Sequence, residues 1–149
     1  MIKVYLAGNL HTDWRGKVKY QFQEAIEEKH VEFLTPIRGL ADDGADKYVP
    51  RDLVLLRQAD IVFAFIEHWD AEACRHVGTS AEIGYAYALG KVIILVDAFI
   101  PKVGSFDFLK SLATSVYTNN YDKNGMESVE SVLNRGIDCL RFSLVAGIM

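Results

Sequence analysis

The run Val92-Ile93-Ile94-Leu95-Val96 is short, rich in β-branched side chains and without a polar residue, and it begins two residues after Gly90. A strand with one face in water alternates apolar and polar side chains. An unbroken apolar strand belongs instead in a sheet covered on both faces. The segment before it, 78–89, is small and apolar and has the length of a helix. Gly90 stands where a helix end turns left-handed, a conformation glycine adopts at little cost. A helix, a glycine stop and a buried strand make up the repeating unit of a parallel α/β sheet.

The rest of the chain reads in the same phase. Residues 2–8 read as a strand ending in Gly8, and 13–29 as a helix with Val18, Phe22, Ala25 and Ile26 on its apolar face. A second strand covers 31–34 and stops at Pro36. Residues 38–47, with two glycines and three aspartates, read as a surface loop. Pro50 suits the first turn of a helix over 51–59. The third strand covers 60–66, with Asp60 as a turn-forming residue at its start, and a polar loop follows over 67–77. After the strand at 92–96 come a helix over 105–115, a short edge strand at 116–118 and a helix over 127–140. That last helix places Val129, Val132, Leu133, Ile137 and Leu140 on its core face. The apolar tail 142–149 is expected to pack against the body or a second subunit.

Strand and helix thus alternate five times. The expected fold is one α/β domain over 1–149: a five-stranded parallel sheet in the flavodoxin- or Rossmann-like order 2-1-3-4-5, with helices on both faces. In such sheets ligands bind beyond the carboxyl ends of the strands, here at the switch between strands 1 and 3.

Composition narrows the partners. With 149 residues, 50% of them hydrophobic and 24% charged, the chain has enough apolar material for one core. A net charge of −4 gives no field to attract a polyanion, so no nucleic-acid polymer is expected, although one small phosphate at a local site remains open. No run has the length of a membrane span, and Met1 to Val4 does not read as a signal peptide. The two cysteines, Cys74 and Cys139, lack metal-ligand spacing. A cytoplasmic protein with free thiols is expected. The loop residues His68, Asp70, Glu72, Cys74 and His76 match no metal motif, so no metal is expected.

The one charge in the helix over 78–89 is Glu82. Thr79-Ser80-Ala81-Glu82 fits a capping box, in which the glutamate reaches back to the Thr79 N–H. Alternatively, Glu82 is a carboxylate kept ionised near a helix N-terminus and placed to act as a nucleophile at the ligand site.

The motif Gly78-Thr79-x-x-Glu82-Ile83-Gly84-Tyr85-Ala86-x-Ala88-x-Gly90-Lys91 closely resembles the signature of the nucleoside 2-deoxyribosyltransferases and of the related deoxynucleoside 5′-monophosphate N-glycosidases. The order of elements along the chain agrees with that family's fold. The resemblance implies that Glu82 is the nucleophile. It implies that Asp52, in Pro50-Arg51-Asp52-Leu53, is the general acid facing the base; read alone, Asp52 is a helix-dipole charge, and the paired match with Glu82 reverses that reading. Tyr5 is similar to the family tyrosine that positions the glutamate, or is a half-buried strand residue. Gly8 permits close approach of a ligand. Behind it, His11 or Trp14 is a candidate to stack on the base and Arg15 to meet a base carbonyl or phosphate, with Trp14 also readable as a core anchor. His76 stands where transferases of the family place an aspartate for the 5′-hydroxyl and the monophosphate hydrolases a serine, and it matches neither. Gly78, Thr79 and Ser80 offer donors at a helix start. Ser105 and Asp107 fall near the position where a neighbouring subunit of the family completes the sugar pocket. An aspartate there would suit a hydroxyl and repel a phosphate.

The expected activity is cleavage of the N-glycosidic bond of a 2′-deoxynucleoside and transfer of the sugar to another base, without a cofactor, in a salvage enzyme that is a homodimer or larger. The alternatives are hydrolysis of a deoxynucleoside 5′-monophosphate and a non-catalytic nucleotide-binding module.

Overall fold

The computed structural model describes residues 1–8, 12–36, 44–67, 77–98, 106–122 and 125–146. The main sheet contains β1 (Ile2–Gly8), β2 (Val31–Leu34), β3 (Ile61–Glu67), β4 (Val92–Ala98) and β5 (Ser115–Thr118). Its order is β2-β1-β3-β4-β5 and every pairing is parallel, as the alternation implies. The helices are α1 (Trp14–Tyr20), α2 (Gln23–Glu27), α3 (Ala45–Gln58), α4 (Val77–Ala88), α5 (Asp107–Leu112) and α6 (Val129–Ala146).

The period-two geometry of the central strands splits the core into two layers. Val4, Leu6, Phe63, Phe65, Ile94 and Val96 pack with α1 and α6. Tyr5, Ala7, Val62, Ala64, Ile93 and Leu95 pack with Leu56 of α3, Ile83 and Ala86 of α4, and Leu109 of α5. The strands therefore carry apolar side chains on both sides. Gly90 closes α4 as expected: its φ is +71°, its N–H donates to Tyr87 O and the Lys91 N–H donates to Ala86 O. This is the double bond pattern of a Schellman end.

Several expected boundaries move. The helix over 13–29 is two helices. At the end of α1 the Gln21 and Phe22 N–H groups turn to the carbonyls three residues back, 3.1 Å and 3.0 Å away, a 3₁₀ tightening. This turn directs Phe22 into the core against Phe33, with ring centroids 5.6 Å apart, and leaves Ile26 exposed rather than core-facing. Helix α3 starts at Ala45, so Pro50 lies inside it and not in its first turn. It sits on the exposed side, where the N–H it lacks matters least. Helix α6 runs on to Ala146: Leu144 is buried, while Phe142 and Val145 point to solvent. A small antiparallel hairpin, β6 (Tyr121–Asp122) and β7 (Gly125–Met126), was not expected at all. Among the described residues no helix is long and apolar enough to cross a membrane, and no cluster of metal-ligating side chains occurs. Cys139 is a free, half-buried thiol, and Cys74 lies outside the described residues.

Candidate active site

Tyr5 is completely buried, at the middle of β1 on the side covered by α3 and α4. Its hydroxyl is pushed far above the usual phenol range. Burial is the largest cause, followed by the Glu82 charge, hydrogen bonding to the Glu82 side chain and the Asp52 charge, with the Arg15 charge acting the other way. The Tyr5 hydroxyl and Glu82 Oε2 are both buried, and Glu82 raises the hydroxyl both as a charge and as a hydrogen-bonding side chain. Four elements, β1, α1, α3 and α4, therefore bring a hydroxyl, a guanidinium and two carboxylates within electrostatic reach of one another.

Each carboxylate arrives there from a position that removes its simpler explanation. Helix α4 begins at Val77, so Thr79 is a helical residue, buried at 4% exposure, and not the N-cap. The capping-box reading of Glu82 fails, because no N-cap hydroxyl stands three residues before it. Glu82 is half-buried, in the second turn, with its Oε2 buried. Asp52 lies mid-way along α3 and is 5% exposed. Helix-dipole stabilisation fades within the first turn, so that reading of Asp52 also fails. A carboxylate buried this deeply needs polar surroundings to be tolerated, and the Tyr5 cluster supplies them.

Arg15 is held by the strand end. Its Nε donates to Leu6 O at 3.1 Å and its Nη2 to Gly8 O at 3.0 Å, and the guanidinium lies 4.6 Å from the Trp14 ring centroid. These two bonds commit Arg15 to the backbone of β1, where the sequence suggested a ligand contact. Trp14 is 2% exposed and packs on Phe63 and Phe65, so it is the core anchor and not a stacking platform for a base. Gly8 is explained by the same packing: a Cβ there would lie 2.6 Å from Trp14 Cζ2 and 2.7 Å from Phe65 O.

Gly78, Thr79 and Ser80 form the start of α4, exposed, buried and half-buried in turn. Asp107 opens α5 and is exposed, 3.8 Å from Lys110 Nζ. His11, His76, Ser105 and the histidine-containing loop lie outside the described residues. Asp60 is structural, as expected: its Oδ2 accepts from Lys3 N–H at 2.8 Å at the opposite end of the sheet.

Two acidic residues near the carboxyl ends of the strands were not anticipated. Asp97, in β4, is 3% exposed and meets Lys110 Nζ at 3.3 Å. Its signal in the sequence was an aspartate directly continuing the apolar run 92–96. Glu67, the last residue of β3, accepts a hydrogen bond from the Thr12 hydroxyl. Nothing local marks that pair, because its members are far apart in sequence.

Comparison with known proteins bears on the fold and the family. No curated protein matches the chain. Among solved structures, a 2-deoxyribosyltransferase from Bacillus psychrosaccharolyticus is similar over 89% of this chain and 90% of its own, at 18% identity and a TM-score of 0.58. A CMP N-glycosidase from Clostridium botulinum is similar over 89% and 95%, at 23% identity and a TM-score of 0.52. A 2-deoxyribosyltransferase from Leishmania mexicana is similar over 86% and 79%, at 23% identity and a TM-score of 0.51. At these identities the likeness is one of fold. The sequence profile described as Nucleoside 2-deoxyribosyltransferase matches residues 4–133, a span that takes in Tyr5, Asp52 and Glu82. The chain belongs to the nucleoside 2-deoxyribosyltransferase family, whose enzymes act on nucleosides or nucleotides by transfer or by N-glycoside cleavage.

Proposed function

We propose that the protein cleaves the N-glycosidic bond of a 2′-deoxynucleoside in two half-reactions centred on Glu82. In the first, a Glu82 carboxylate oxygen bonds to C1′ as the bond from C1′ to the base nitrogen breaks. Asp52 gives its proton to the departing base. In the second, a nitrogen of another base attacks C1′, Glu82 leaves, and Asp52 recovers a proton from the incoming base. Two displacements at one carbon give net retention. Tyr5, neutral throughout, orients the Glu82 carboxylate. The observation that carries this reading is the convergence of Glu82 and Asp52, from separate helices, on the buried Tyr5 hydroxyl.

Hydrolysis is the second reading. Water then replaces the acceptor base, and a 5′-monophosphate is the substrate. The similarity to a CMP N-glycosidase favours keeping it. A homodimer or larger assembly, in nucleoside salvage, fits either reading. Its support is the outer surface of α4, where Tyr87 and the following Leu89 are 57% and 40% exposed on a helix whose only charged residue is Glu82.

Incubation with a panel of deoxynucleosides and their 5′-monophosphates, with and without a free acceptor base, tests the proposal by chromatography. Base exchange that requires the acceptor supports transfer. Base release from a monophosphate without acceptor supports hydrolysis. Binding without release from any member rejects both.

A further inference from the structure

Helix α6 carries two apolar stripes. One is its core face, which ends in Leu140 and Leu144; the other holds Phe142 and Val145, one turn apart and 73% and 70% exposed. A lone exposed apolar residue is ordinary, but a contiguous patch is not. Phe142 stands beside an open hollow of about 690 Å³, lined also by Ile2, Ile61 and Val92, the first residues of three neighbouring strands. Val145 stands beside a second hollow of about 250 Å³, lined by Phe22, Ala25 and Val31. His30 borders both hollows, so ridge and hollows form one surface at the amino ends of the strands.

The polar side chains of the larger hollow are engaged within the chain. His30 Nε2 is 3.2 Å from Glu28 Oε2, Asp60 accepts from the Lys3 N–H, and the Ser143 hydroxyl donates to Cys139 O. A small-molecule site needs converging polar groups to fix its ligand; this surface offers shape and apolar area instead. Met1 and Val92 are also exposed at the larger hollow. With Phe142 and Val145 they leave on the order of 500 Å² of apolar surface in water, about the apolar share of the ~800 Å² that each partner buries in a standard interface. The charges at its edge come as opposite pairs, Glu28 with His30 and Asp138 with Arg141, so two copies of the surface meet without single-sign repulsion.

We propose that this surface is a self-association face, on which a second copy of the chain docks about a two-fold axis. The Phe142–Val145 ridge of each copy sits in the hollows of the other. A two-fold contact requires a patch that complements itself, and a ridge flanked by hollows does. The face is separate from the outer surface of α4 and independent of the proposed nucleoside chemistry.

Sedimentation velocity on the full chain over a range of concentrations tests the proposal, with circular dichroism to establish folding. The variants are Phe142→Asp/Val145→Asp, the milder Phe142→Ser/Val145→Ser, and Tyr87→Asp/Leu89→Asp on α4. The wild type should be at least a dimer. Both α6 variants should fold and halve its mass, and the α4 variant should remain at least a dimer. A monomeric wild type overturns the proposal and gives the hollows a different occupant. An α6 variant with the wild-type mass overturns it, as does a wild-type dimer that dissociates in the α4 variant alone. Unfolding of both α6 variants would assign the two side chains to the core and overturn it as well.

Discussion

The Tyr5 hydroxyl and the Glu82 carboxylate share one buried space, the tyrosine delivered by β1 and the glutamate by the second turn of α4. Burial and the carboxylates both disfavour the phenolate, so Tyr5 stays protonated and serves as a donor. Tyr5→Phe keeps the ring and removes only the donor. It should fold normally and lower kcat by about 10- to 100-fold, the worth of a hydrogen bond to a charged group. The pH–rate profile should keep its shape, since Tyr5 does not titrate in the working range. A limb that disappears in Tyr5→Phe would contradict the donor role.

Asp52→Asn removes the proposed proton donor while conserving shape. Base release should fall by about 10²- to 10⁴-fold. A deoxyriboside whose leaving group departs without protonation, such as a nitrophenolate, should recover most of the rate. Equal losses with both substrates would show that Asp52 does something other than protonate the base.

Gly8→Ala tests the packing of the strand end. The added Cβ meets the Trp14 ring and the Phe65 carbonyl oxygen, and the backbone partner cannot swing away. The variant should lose about 1 to 3 kcal/mol of stability in urea unfolding, as overpacked cores do. Stability within error of the wild type would mean that the Trp14 contact yields easily.

The hairpin of β6 and β7 is fastened by Glu127, which accepts from Arg135 Nε at 2.9 Å, Arg135 Nη2 at 2.6 Å, Ser131 Oγ at 2.7 Å and Asn120 N–H at 3.1 Å. These donors, the Arg135 guanidinium first, lower the Glu127 carboxyl from the ordinary 4.5 to about 2. A depressed carboxyl contributes stability that is fully present above its unfolded value and is lost as pH falls through its folded value. The contribution should therefore vanish between about pH 4.5 and pH 2. Glu127→Gln should flatten that part of the stability–pH curve, which urea midpoints measured at several acid pH values will reveal. An unchanged slope would remove Glu127 from the account.

The sheet was legible because its strands are nearly continuous apolar runs and because Gly90 marks a helix end by a backbone requirement. Boundaries set by tertiary contact were not legible. Phe22 turns into the core and breaks a helix whose local pattern was continuous, and Pro50 is tolerated within α3 because its side faces water. For the site, the residues alone left Glu82 and Asp52 open between capping or dipole roles and catalysis. Helix α3 starts six residues earlier than the pattern indicated, which puts Asp52 mid-helix, whereas α4 starts at Val77, one residue from the expected place, and puts Glu82 in its second turn. Trp14 and Arg15 were drawn toward the ligand by their position after Gly8, whereas the strand end and the core claim both. The pairing of Thr12 with Glu67 depends on which strands are neighbours, information that no local window holds.

The central claim is that Glu82 makes the bond to the sugar. Base-release turnover by Glu82→Ala, beside the wild type and with circular dichroism to establish folding, tests it most directly. The account predicts a folded protein with turnover reduced by at least about 10³-fold, the order of loss when a covalent nucleophile is removed. A folded Glu82→Ala protein that releases base at the wild-type rate would contradict it.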